Sequence, residues 1–198
     1  MKERNPSCII VHGCPSDVEK AMNSKTRTYD KHWMPWIKKQ LEEEGIKVFV
    51  PLMPEPWKPD YSEWKAAFEK NKVDEETILI GHSGGAGFLV RWLGEIKKRV
   101  KKLILIAPYI LDSGVDPELR ELVSFKPDLK LKGYCKEIIV FIDKKDDKDI
   151  VRSANYLEEK MGAKVVELKN HGHFTLEDMK TEKFPELFNE ILMNTRGD

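Results

Sequence analysis

Short apolar runs alternate with stretches of helical periodicity along the whole sequence. The runs fall at residues 8–11, 48–50, 77–80, 103–106, 138–142 and 164–168, and most are continuous segments rich in Ile and Val. Continuity, rather than strict alternation with polar residues, is the pattern of strands covered on both faces in a parallel sheet. Between them, residues 32–44 set Trp33, Trp36, Ile37 and Leu41 on one helical face and stop at Gly45, a residue suited to the position after a helix. Asp60-Tyr-Ser-Glu63 has the form of a capping pattern and predicts a helix to about residue 71. Further helices are expected near 85–99, 116–123, 149–161 and 185–194.

A β-α-β-α alternation predicts an open α/β architecture, with about six mostly parallel strands, helices on both faces and right-handed crossovers. No repeat, low-complexity segment or linker interrupts it, so residues 1–198 are read as one domain. Two irregular stretches, 14–31 and 108–115 with 124–136, are long enough to be binding rims or lids.

Composition narrows the function. Lys plus Arg and Asp plus Glu both number 34, so the formal net charge is zero. Nucleic-acid and anionic-membrane binders carry a basic excess that is missing here. The local run Lys97-Lys98-Arg99 with Lys101-Lys102 reads as a solvated helix end, where cations suit the helix dipole. The first apolar run is too short for a signal peptide, and no stretch of about 18 apolar residues exists, so a cytoplasmic protein is expected. Three cysteines, Cys8, Cys14 and Cys135, without C-x-x-C spacing suggest neither a disulfide framework nor a zinc knuckle.

The chemistry lies at the ends of the strands. Gly81-His82-Ser83-Gly84-Gly85 is a G-x-S-x-G sequence between an apolar strand and a helix that carries Phe88, Leu89, Trp92 and Leu93. Small residues on either side of Ser83 let strand and helix approach closely and lift the hydroxyl above the sheet edge. A serine hydroxyl needs a base, and the base an orienting carboxylate, arriving in this architecture in the order Ser, Asp, His on later loops. The strand at 138–142 runs into an acidic cluster containing Asp143, Asp146, Asp147 and Asp149, and the strand at 164–168 precedes His171-Gly172-His173. His173, freed to turn by Gly172, is the favoured base over His171. Asp147 is the favoured carboxylate, with Asp146 its nearest rival and Asp143 too near the strand end. The oxyanion would take the N–H of Gly84 and, from the His12-Gly13-Cys14 loop after the first strand, the N–H of Cys14. Cys14 as a nucleophile lacks spaced partners, and a metal site of His12, His171 and His173 rests on H-x-H alone.

His12-Gly13, Gly-His-Ser-Gly-Gly, the Asp146-Asp147 pair and Gly172-His173-Phe174 resemble the small serine hydrolases related to retinoblastoma-binding protein 9. The resemblance takes in essentially the whole chain, including Trp33-Met-Pro-Trp36 and Pro51-Leu-Met-Pro54. It implies an α/β-hydrolase fold, and 198 residues leave little room for a large cap domain. It also implies a catalytic carboxylate at the second Asp of the pair, Asp147, beside Ser83 and His173. The expected activity is hydrolysis of small acyl esters through an acyl-enzyme, with no cofactor or metal and a small-molecule substrate. An amidase or peptidase with the same residues, or a protein-binding module on this scaffold, are the competing readings. Trp57, Tyr109, Ile110 and Leu111 are candidates for an apolar acyl pocket, and a rather open site is expected.

Overall fold

The computed structural model describes residues 6–111, 114 and 119–193. The chain runs β1 (Ser7–Val11), α1 (Val18–Met22), α2 (Met34–Glu43), β2 (Lys47–Phe49), α3 (Tyr61–Phe68), β3 (Thr77–His82) and α4 (Gly84–Ile96). It continues through β4 (Val100–Ile106), α5 (Arg120–Val123), β5 (Cys135–Ile142), α6 (Lys148–Met161), β6 (Lys164–Glu167), α7 (Leu176–Met179) and α8 (Pro185–Leu192). The strands form one sheet in the order β2-β1-β3-β4-β5-β6, and every neighbouring pair is parallel. Every residue of β3 is buried, which requires cover on both faces of the sheet. The strand order reverses between β1 and β3, and the crevice beyond the carboxyl ends of strands at such a reversal is where open α/β sheets bind ligands.

Local signals held where they were strong. Gly45 follows α2 at φ 80°, and the Asp60 carboxylate accepts from the Glu63 N–H at 2.9 Å to open α3. Aromatic packing joins α3 to α4: Phe88 meets Trp64 and Phe68 edge-on at 5.7 and 5.4 Å. The stretch 14–31 is less irregular than expected, because Asp17 caps the short α1 through the Lys20 N–H at 2.8 Å. α7 was not anticipated; Thr175 caps it by accepting from the Asp178 N–H.

The basic run does not form a solvated helix end throughout. α4 stops at Ile96 with Lys97 left-handed, and Lys101 and Lys102 belong to β4. Lys102 is 2% exposed, and its ammonium caps the far end of α8. It donates to the carbonyls of Glu190 at 2.9 Å, Ile191 at 3.3 Å and Met193, and pairs with Glu137 at 3.3 Å. The cation does complement a helix dipole, but that of a helix about ninety residues later in the chain.

His12 fixes the loop after β1. Its Nε2 accepts the Met53 N–H at 3.0 Å, so the proton sits on Nδ1, which donates to the Gly13 carbonyl at 2.8 Å. Burial pushes this imidazole down to about 4 against the weaker opposing effect of the Gly13 carbonyl. No helix among the described residues is long and apolar enough to cross a membrane.

Two outcomes follow from these buried groups. Lys102→Met leaves the α8 carbonyls without their donor and should cost about 2–3 kcal/mol. For a chain of this length that lowers Tm by about 4–12 °C, and an unchanged melting curve by circular dichroism would remove Lys102 from the stabilising set. His12 is neutral in the fold down to about 4 but protonates near 6.5 when unfolded. Its contribution, about 3 kcal/mol, is therefore complete above the unfolded value and lost as pH falls toward the folded one. His32 and His82, also pushed down by burial, act in the same direction. Urea midpoints should drop steadily between about pH 6.5 and 4.5 at constant slope, whereas a flat profile would mean that these rings titrate normally.

Candidate active site

Ser83 sits between β3 and α4 at φ 52°, ψ −119°, a backbone conformation that non-glycine residues rarely adopt. Its N–H donates to Ile106 O at 2.9 Å, and its carbonyl accepts from Ala86, Gly87 and Tyr109 at 3.0, 3.3 and 3.2 Å. The flanking glycines allow the turn. A β-carbon at Gly81 would stand 2.6 Å from Ala86 Cα, and one at Gly85 would meet His12 O and stand 2.6 Å from Val11 O. Strand, helix and the β1 loop are thus in backbone contact around the hydroxyl.

His173 reaches this hydroxyl from the loop after β6, with Nε2 2.9 Å from Ser83 Oγ. Its Nδ1 lies 2.9 and 3.0 Å from the two carboxylate oxygens of Asp146, whose side chain is 5% exposed. The carboxylate expectation is thereby corrected. Asp147 does not approach His173; it is the N-cap of α6, and its carboxylate accepts the Asp149 N–H at 2.8 Å. Asp146 stands one residue earlier, before the helix cap, and its side chain meets His173 on the loop after β6. Its Oδ1 also accepts the Asp147 N–H at 2.7 Å, which orients it.

Asp143 has a role that the sequence did not suggest. Its buried carboxylate accepts from Lys145 N at 3.0 Å, His171 N at 2.9 Å and Gly172 N at 3.2 Å. Burial pushes the carboxyl up, but these three N–H bonds outweigh it and hold the group below the usual range. Asp178 of α7 accepts the His173 N–H at 3.0 Å. The T-x-x-D pattern at 175–178 was the available signal for the turn that carries this second clamp. His171, the rival base, instead places Nδ1 2.9 Å from the Lys169 carbonyl.

The loop after β1 closes the other side. A β-carbon at Gly13 would lie 3.2 Å from Ser83 Cβ, and one at Gly84 would lie 2.7 Å from Cys14 Sγ. Cys14 and Gly84, the two expected oxyanion residues, are therefore neighbours beside Ser83. A pocket of about 370 Å³ opens here, lined by Ser83, His82 and His173. Its lining also includes Lys20 and Arg27 of the 14–31 stretch, His32, and Glu177 of α7. Both cations of its lining are paired: Lys20 with Glu177 at 3.3 Å, and Arg27 with Asp30 behind it at 3.0 Å. The 14–31 stretch is thus a wall beside the nucleophile, and Ser83 exposes 8% of its surface.

The apolar candidates lie elsewhere. Tyr109 and Ile110 are packed in the core, while Ile110 and Leu111 edge a separate depression with Arg120 and Arg152. Trp57 does not line the pocket. Residues 112, 113 and 115 of the second irregular stretch, and 116–118 of the helix expected at 116–123, lie outside the described residues. Among the described residues, no group of three His, Cys, Asp or Glu side chains is placed to hold a metal ion. The hydrogen-bonded line Ser83–His173–Asp146 is an arrangement in which a hydroxyl can pass its proton to an imidazole steadied by a carboxylate.

The chain resembles known hydrolases in sequence and in fold. The chain is 26% identical over 165 residues to the hydrolase YdeN of Bacillus subtilis (strain 168), covering 81% of this chain and 86% of that one. It is 30% identical over 146 residues to serine hydrolase RBBP9 of Rattus norvegicus, covering 72% and 77%. Among solved structures, the ydeN gene product of B. subtilis superposes with a TM-score of 0.82 at 22% identity, over 98% of this chain and 100% of that one. Est1E from Butyrivibrio proteoclasticus does so with 0.65 at 15% identity, over 99% and 90%. These likenesses bear out the α/β-hydrolase fold without a large cap. The family model described as serine hydrolase matches residues 23–191, and the chain belongs to that family.

Proposed function

We propose that the protein is a carboxylic ester hydrolase acting on small acyl esters through Ser83, His173 and Asp146. The observation that carries the reading is the pair of contacts at His173, 2.9 Å to Ser83 Oγ and 2.9 Å to Asp146 Oδ2. In this scheme Ser83 Oγ attacks the ester carbonyl as its proton passes to His173 Nε2, and the Asp146 carboxylate stabilises the imidazolium. The oxyanion takes the N–H of Gly84, at the start of α4 where backbone donors have no intrahelical partner, and that of Cys14. The imidazolium then protonates the departing alkoxide, leaving an acyl group on Ser83. Water attacks that carbonyl as its proton passes to His173, which then returns a proton to Ser83 Oγ as the C–O bond breaks and the acid leaves.

Pocket size favours a small substrate. About 370 Å³ lies near the lower end of ligand pockets, which span roughly 300–1,000 Å³. The paired charges of its wall suit a polar, neutral ester more than a long alkyl chain. The reading also puts the enzyme in the cytoplasm, where the free thiols of Cys8, Cys14 and Cys135 stay reduced.

A fluorophosphonate probe should label the wild type, and Ser83→Ala and His173→Ala should abolish labelling. A folded wild type that resists the probe would leave a protein-binding role as the better reading. Short-chain esters should turn over faster than the matching anilides, and the opposite order would make the protein an amidase. The two neighbouring aspartates should separate cleanly. Asp146→Asn should lower kcat by about 10³–10⁴-fold, whereas Asp147→Ala should cost about 1 kcal/mol of stability through the lost cap, with little change in kcat. If Asp147→Ala proved the inactive variant, the assignment of Asp146 would be wrong.

A further inference from the structure

His82 lies between Gly81 and Ser83, and the reaction scheme makes no use of its side chain. The imidazole is 3% exposed, with Nε2 2.8 Å from the carbonyl oxygen of His173. A carbonyl can only accept, so Nε2 carries the proton and donates. Burial first, then the neighbouring His173 and His32, push the ring well below its ordinary range and keep it neutral. Its Nδ1 has no partner among the described residues. That nitrogen faces the loop after β1, where a β-carbon at Gly13 would stand 3.2 Å away. The rings of Trp33, His32 and His173, with centroids at 6.1, 5.9 and 5.3 Å, hold it in place.

A buried imidazole with one nitrogen unmatched by protein is a poor filler, and an apolar side chain would occupy the slot without that penalty. What the ring contributes lies at the other nitrogen, which holds the His173 carbonyl. The loop that carries His173 needs external ties, since Asn170, Gly172 and Phe174 all have left-handed backbone, with φ of 62°, 51° and 57°. Asp143 holds the N–H groups of His171 and Gly172, and Asp178 holds that of His173. Of these ties, only the His82 bond starts from the strand that carries the nucleophile.

We infer that His82 is a positioning residue, which sets the distance between Ser83 Oγ and His173 Nε2 by gripping the His173 carbonyl from the residue next to the serine. The spacing of the two reacting groups is then set through β3 and is less dependent on the loop after β6. An error of about 1 Å in such a spacing costs on the order of 100-fold in rate, so the bond has kinetic consequences although it touches no substrate. The inference rests on the serine-hydrolase scheme proposed above.

The test compares His82→Leu with His82→Gln, whose amide N–H can reach the same carbonyl, on a short-chain p-nitrophenyl ester. His82→Leu should lose about 10- to 100-fold in kcat with KM within about twofold of wild type, and His82→Gln should recover most of the loss. Full activity in His82→Leu, or equal loss in two folded variants, would overturn the inference. The bond is also read without activity or substitution, by nitrogen-15 NMR of histidine-labelled wild type. His82 should be the Nε2–H tautomer with a slowly exchanging ring proton. An Nδ1–H tautomer would overturn the inference even if Ser83 labels normally. Failure of wild type to label would instead count against the reaction scheme and leave the His82 bond to be judged by its NMR signal.

Discussion

The backbone of Ser83 occupies a region of φ and ψ that costs on the order of 1–3 kcal/mol for a residue with a β-carbon. It persists because the surroundings leave it no alternative. Its N–H is held by the end of β4, and its carbonyl is shared among donors from α4 and the segment after β4. Below it, the glycine at 85 lets the helix rest on the backbone at the end of β1. Sheet order, helix placement and hydroxyl position are therefore one constraint. If α4 shifted outward, the β1 loop would lose its contact with the nucleophile.

The acidic turn after β5 shows how several like charges share a small volume. Each carboxylate has its own donors: Asp143 the loop amides, Asp146 the imidazole and one amide, Asp147 the first turn of α6. At Asp143 the backbone N–H bonds outweigh the cost of burial and hold that carboxyl below its usual range. The turn thus supplies negative charge to the histidine, rigidity to its loop and a cap to the next helix.

The parallel sheet and the places of Ser83 and His173 beyond strand ends were legible in the sequence, because each is announced locally: by continuous apolar runs, by glycines spaced about a serine, by a histidine after the last strand. Choosing between Asp146 and Asp147 was not a local matter of that kind. The two are neighbours of the same type, and the difference depends on where α6 begins. Placing its first residue at Lys148 rather than 149 makes Asp147 the N-cap and leaves Asp146 free, so a closer reading of capping preference could have separated them. The run at 97–102 misled for a different reason. Nothing near Lys102 in the sequence shows that its partner is a helix end at residues 190–193. Such long-range closures, like the clamps by Asp143 and His82, become visible only when the loops are brought together.

That closure has a bearing on how the chain is made. β4 sits at the middle of the sheet, yet the carbonyls that satisfy its buried ammonium are the last helical residues described. A nascent chain emerging N-terminus first can assemble β1, β3, β4 and β5 early, but Lys102 then has Glu137 alone for a partner, and its bonds to the α8 carbonyls wait until that helix arrives. The sheet centre is left unfinished during synthesis, which favours a single late locking event over the survival of a stable fragment lacking α8.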